Sequence, residues 1–149
     1  MGEQEKEARI EMEDPHLDRS GLREKLVHGD VTDSIIGAAI HVHRTLGPGF
    51  LESIYQGALE TELRHRQIPF ECQYAVPIVY RGVEVGCHRL DLLVADEVIL
   101  ELKAIKNLED IHFATVRSYL AATRKTAGLL LNFAHIKLVV RRVFGAPAA

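Results

Sequence analysis

The sequence predicts an α/β fold, with one mixed central β-sheet flanked by helices. Two stretches with apolar residues at helical spacing lead the folded part of the chain, between residues 30 and 66. A pair of short strands follows over residues 90–105, and a further helical stretch then leads to a continuous apolar run at 128–133. Hairpins give antiparallel pairs and a helical crossover gives a parallel one, so the sheet must hold both kinds.

At 149 residues the chain is long enough for one domain with its own core, and a second domain is not expected. An apolar fraction of 47% with 26% charged residues is that of a soluble globular protein. No apolar run approaches the roughly 20 residues needed to span a bilayer, and the charged N-terminus lacks the apolar segment of a signal peptide. Cys72 and Cys87 form neither a CxxC nor a paired spacing, which excludes a disulfide framework and a zinc ribbon and suits the reducing cytoplasm. The net charge of -3 excludes a generally basic nucleic-acid coat. Residues 101–149 nonetheless carry a net charge of +5, which serves either as a phosphate-binding surface or as a solvated face.

Residues 1–29 read as a flexible charged leader, broken by Pro15 and Gly21 and poor in large apolar side chains. A first helix is expected from Asp30 or Thr32, either of which can cap it, to Leu46, where Gly47-Pro48-Gly49 stops it. Leu51, Ile54, Tyr55, Ala58, Leu59 and Leu63 mark a second helix over about 50–66. Strand composition returns at 70–80, and Tyr80-Arg81-Gly82-Val83 turns the chain into a strand over 83–87. Pro77 should mark an edge or an irregularity. After the pair at 90–105, Asn107 can cap a third helix over about 108–124. The apolar run at 128–133 suits a strand covered on both faces, and a last strand is expected over 136–144 before a frayed tail. The folded domain is thus 30–144. No nucleotide-binding glycine motif and no internal repeat is present.

The strand pair at 90–105 carries the chemistry. Alternation puts Leu90, Leu92 and Val94 on one face with Val98, Leu100, Leu102 and Ala104. The opposite face carries Arg89, Asp91 and Leu93 with Ile99, Glu101, Lys103 and Ile105. A three-residue turn centred on Asp96 would pair Val94 with Val98 and place Asp91 opposite Glu101. The charges would be solvated on the wet side of an antiparallel pair, or, beside Leu93, Ile99 and Ile105, partly covered and in need of a partner or an ion. Glu52 sits where a helix N-terminus favours a carboxylate, which accounts for it without a site. His41 and His43 point about 200° apart on a helix and suit packing or capping better than one shared metal. His112, Thr115 and Tyr119 share one side of the third helix, toward a site or toward its buried edge.

Asp91 followed by Glu101-Leu102-Lys103 resembles the signature of the PD-(D/E)XK nuclease superfamily, with Leu90 in place of the proline of the name. The run 42–55, through Gly49, Glu52 and Tyr55, resembles the hallmark of the bacterial GxxExxY protein family, as does Leu130-Leu131-Asn132-Phe133. The resemblance covers about residues 31–144. It implies a restriction-endonuclease-like core in the order αβββαβ, preceded here by an extra helix. It further implies that Glu52, Asp91 and Glu101 bind Mg²⁺ or Mn²⁺, that Lys103 is the site lysine and that Tyr119 points inward, with Thr115 where related nucleases carry glutamine.

Such a site has a chemical rationale. Phosphodiester hydrolysis needs a deprotonated water and charge stabilisation on the phosphate, and magnesium takes oxygen ligands such as carboxylates and the Leu102 carbonyl. The implied function is a Mg²⁺-dependent nuclease acting on nucleic acid, DNA first, as a monomer or a homodimer and with no membrane partner. A nuclease-fold module that binds nucleic acid without cutting it, and a protein-interaction role, are the alternatives.

Overall fold

The computed structural model describes residues 29–145. The expected leader up to residue 28 and the tail from residue 146 lie outside them. Helix α1 covers Gly29–Leu46, so Gly29 belongs to the helix and not to the leader. Helix α2 covers Glu52–His65, starting two residues later than expected because Leu51 has extended backbone at the N-cap. The two pack as a hairpin through Ile35, Ala39, Leu59 and Leu63.

Strand β1 (Phe70–Tyr80) and strand β2 (Val83–Val94) are antiparallel, joined by Arg81 and Gly82 at φ 51° and 79°. Two successive left-handed residues match the right-handed twist of the strands they connect. The expected break between residues 87 and 90 is absent, and β2 is one strand of 12 residues. Strand β3 (Val98–Lys103) returns through a turn with left-handed Ala95 and Asp96, and Val94 pairs with Val98 as the sequence predicts.

Helix α3 covers Asp110–Thr123. Its N-cap is Glu109 in place of the expected Asn107, because the Glu109 backbone N–H donates to His112 Nδ1 at 2.8 Å. The helix crosses over to strand β4 (Ala127–Asn132), which runs parallel to β3, and strand β5 (Val139–Phe144) closes the sheet antiparallel to β4. β5 starts three residues later than expected, and Ile136 is exposed in the preceding loop.

The five strands lie in the order β1-β2-β3-β4-β5. α1 and α2 cover one face through Leu92, Leu100, Leu102 and Leu131, and α3 covers the other through Leu93, Ile99 and Leu130. β4 is buried along its whole length, as its unbroken apolar sequence predicts. Leu90 departs from simple alternation: it packs on the α3 side, although Leu92, two residues on, faces α1 and α2. The same reversal occurs in β1 between Phe70 and Val76. Both strands switch face around Gln73, whose left-handed φ of 51° lies beside Asp91. Among the described residues no helix is long and apolar enough to cross a membrane.

Candidate active site

The reversal at Gln73 and Asp91 is where the sheet opens. β2 and β3 pair in the expected register as far as Leu92 and Leu100. One step further, Asp91 Oδ2 accepts the Leu102 N–H at 2.9 Å, so a side-chain oxygen takes the place of a strand carbonyl. The Asp91 carboxylate is thereby fixed against Glu101, with which it shares a side-chain hydrogen bond. Expectation and structure agree that the two acids meet. They meet through side chains where the ladder ends, in place of a regular cross-strand pair.

Glu101 is 6% exposed, and its Oε2 is buried without a hydrogen-bond partner. Burial first, then the bond and the charge of Asp91, raise its carboxyl to about 9, with Lys103 opposing. Tyr119 reaches the pair from α3. Burial, then the charges of Glu101 and Asp91 and a bond to Glu101, push its hydroxyl up to about 12. Its ring meets His88 edge-on at 4.7 Å.

Glu52 arrives from the other face. Gly49 at φ 109° takes a conformation that only glycine adopts readily. Buried Tyr55 holds the loop, its hydroxyl donating to the Gly47 carbonyl at 2.6 Å and accepting the Phe50 N–H at 3.2 Å. Its ring stacks on Phe133 at 4.6 Å. The glycine, glutamate and tyrosine of the motif thus work together: two shape the loop, and the third begins the helix they launch. The Glu52 carboxyl is raised by burial first and by Asp91 second, with Lys103 opposing, which places all three groups in one electrostatic neighbourhood.

Lys103 ends β3 level with Asn132. The buried Asn132 amide clamps the next turn, donating to the Ile105 carbonyl at 2.8 Å and accepting its N–H at 3.2 Å. His43 braces the β4 exit, Nε2 lying 3.2 Å from the Phe133 carbonyl and 2.8 Å from that of His135. That is the packing role expected of it. Thr115 turns its hydroxyl to the Ile111 carbonyl, and His112 serves the α3 cap. His88 was not singled out by the sequence, and Asn132 entered only as part of the run 130–133 with no role, although an asparagine inside an apolar strand is itself a signal of a clamp.

Among the described residues no three His, Cys, Asp or Glu side chains stand close enough to hold an ion as they are arranged. Asp91 and Glu101 touch, and Glu52 interacts with them through its charge. The residues still fit a hard divalent cation. Glu101 Oε2 is a buried acceptor with no donor, and burial with the charge of Asp91 outweighs Lys103, so the pair retains a proton that a cation can replace. Leu102 lies between the two site residues of β3, its amide on Asp91 and its side chain in the core.

The profile of the PD-(D/E)XK nuclease superfamily matches residues 29–143. Comparison with curated proteins returns no match. Among solved structures, the crystal structure of SSO0001 is similar, with a TM-score of 0.52 at 15% identity. The alignment covers 87% of this chain and 63% of that one, a likeness of fold. The mixed sheet, the αβββαβ core between α2 and β4 and a profile match over nearly all the described residues lead to one assignment: this chain belongs to the PD-(D/E)XK nuclease superfamily.

Proposed function

We propose that the protein is a nuclease of the GxxExxY kind that hydrolyses phosphodiester bonds of DNA with Mg²⁺, Mn²⁺ serving as a substitute. The observation that carries this reading is the contact of Asp91 with Glu101 at the split between β2 and β3, beside Lys103 and a buried carboxylate oxygen with no donor. Structural ion pairs do not call for an orphaned acceptor. A cation site does.

Asp91, Glu101, Glu52 and the Leu102 carbonyl would hold the cation. Once bound, it supplies charge stabilisation on the phosphate and eases deprotonation of the attacking water. The chain's own groups do the rest. Lys103 orients that water or balances charge on the phosphate. Tyr119, protonated throughout the neutral range, lines the site beside Glu101 as a neutral donor. Asn132 fixes the backbone after Lys103 and so its direction of approach. A leader over residues 1–28 and a homodimer that would place two sites on a duplex belong to the same proposal.

A second reading, a module that binds nucleic acid without cutting it, draws on Thr115, whose hydroxyl is spent on its own helix. One assay separates them. Purified protein is incubated with duplex DNA, single-stranded DNA and RNA in Mg²⁺ or Mn²⁺, alongside Asp91→Asn and Lys103→Ala. Cleavage by the parent that both variants lose supports the nuclease; cleavage that survives both defeats it.

A further inference from the structure

The β1–β2 hairpin outruns the sheet. Counting outward from the pair of Val94 and Val98 puts Lys103, the last residue of β3, level with Arg89. The rest of the hairpin projects beyond β3 at the end of the sheet that carries Lys103. α3 supports one face as far as Val76 and His88. Past them, residues 77–87 form a ribbon exposed on both faces apart from half-buried Ile78. Val79, Tyr80, Val83 and Val85 are each more than 60% exposed there. A two-stranded ribbon is marginal by itself in water, and an apolar patch of this kind marks an interaction surface.

The dimensions indicate the partner. Four to five residues per strand at about 3.3 Å each carry the tip about 15 Å past its support. The major groove of a duplex is about 12 Å wide and 8.5 Å deep and admits a two-stranded ribbon. Arg81 stands at the tip and Arg89 at the base, with Glu84 the single acid between residues 72 and 90. Exposed Lys106 and Lys137 lie in the loops that follow the parallel strands β3 and β4, at the same end of the sheet. Phosphate attraction thus comes from the rim, and a nearly neutral ribbon is left to meet the bases. A second copy of the chain fits less well. Gln73 is left-handed, Pro77 lacks an N–H and a bulge lies between Ile78 and Val79, so β1 offers no continuous edge for strand pairing.

We infer that residues 77–87 are an arm that docks in the major groove of a duplex and seats it on the neighbouring site, with Arg81 reading base edges and Tyr80 and Val85 packing against them. This rests on the nuclease reading of that site, but its test does not require cutting. In the full chain, Y80T/R81N/V85T keeps strand propensity and a residue tolerant of the left-handed turn. Fluorescence anisotropy with a short labelled duplex in EDTA should show at least tenfold weaker binding, with an unchanged thermal midpoint. R81N alone should shift affinity in the same direction and flatten the preference among duplex sequences, with the salt slope little changed because the phosphate contacts lie on the rim. Duplex affinity within twofold of the parent overturns the inference, as does a change of oligomeric state by light scattering, since the arm would then join two copies. Arm-dependent binding by a parent that cuts nothing leaves the arm standing and removes the nuclease; cutting with arm-independent binding does the reverse.

Discussion

The Tyr55 hydroxyl donates to the Gly47 carbonyl at 2.6 Å, so a residue one turn into α2 fixes the loop from which that helix starts. Removing the hydroxyl leaves the Gly47 carbonyl and the Phe50 N–H without this partner, while the stack on Phe133 remains. Tyr55→Phe should lower stability by about 1–2 kcal/mol in urea denaturation. Because the loop sets where Glu52 begins, cleavage should fall by more than the loss of folded protein explains, as a rate per folded molecule would show.

Glu101→Gln should separate stability from chemistry. The amide needs no proton to stay neutral and can donate to Asp91, so the buried cost of the carboxyl disappears. The metal-free variant should melt roughly 2–6 °C higher at pH 8. Its cleavage should drop by on the order of 100-fold or more, the scale of removing one preorganised electrostatic group. A lower melting point without metal would contradict the account of Glu101.

The raised carboxyls give a signed dependence on pH. Between the ordinary carboxylate range and about 9, the folded metal-free protein holds a proton on Glu101 that the unfolded chain has released. Stability therefore falls as pH rises through that window and is fully present below it; Glu52, raised as well, adds to the same trend. On the proposed function, a divalent cation would displace the proton. Calorimetry at pH 7 in buffers of different ionisation enthalpy should report close to one proton released per cation bound, and affinity should strengthen with pH.

Asn132 joins β4 to the turn after Lys103 through both polar groups of Ile105. Asn132→Leu fills the space but leaves those groups unpaired, and should cost about 2–4 kcal/mol. Urea denaturation checks the stability, and a cleavage assay on the folded fraction checks the role proposed for Lys103.

Much of this was legible in the sequence because the relevant signals are local. The turn at Ala95 and Asp96 set the register of Asp91 toward Glu101, and the unbroken apolar sequence of β4 announced a strand covered twice. What escaped was non-local or conformational. Leu90 changes side because Gln73, on another strand, takes a left-handed φ that its residue type does not demand. His112 became part of a cap because its Nδ1 competed successfully with Asn107 for the helix start. Glu52 could be read as a helix-terminus acid until the charges of Asp91 and Lys103 were found to act on its carboxyl.

The switch of face at Gln73 and Asp91 has a modular consequence. It separates the side-chain phase of the outer hairpin from that of the core sheet, so each can follow its own pattern. Swapping the exposed residues 77–87 for a hairpin of another length would leave the packing of α1, α2 and β3 untouched, because Val76 and Leu90 stay in the cluster against α3. The scaffold thus accepts exchangeable attachments at the very strand that delivers Asp91.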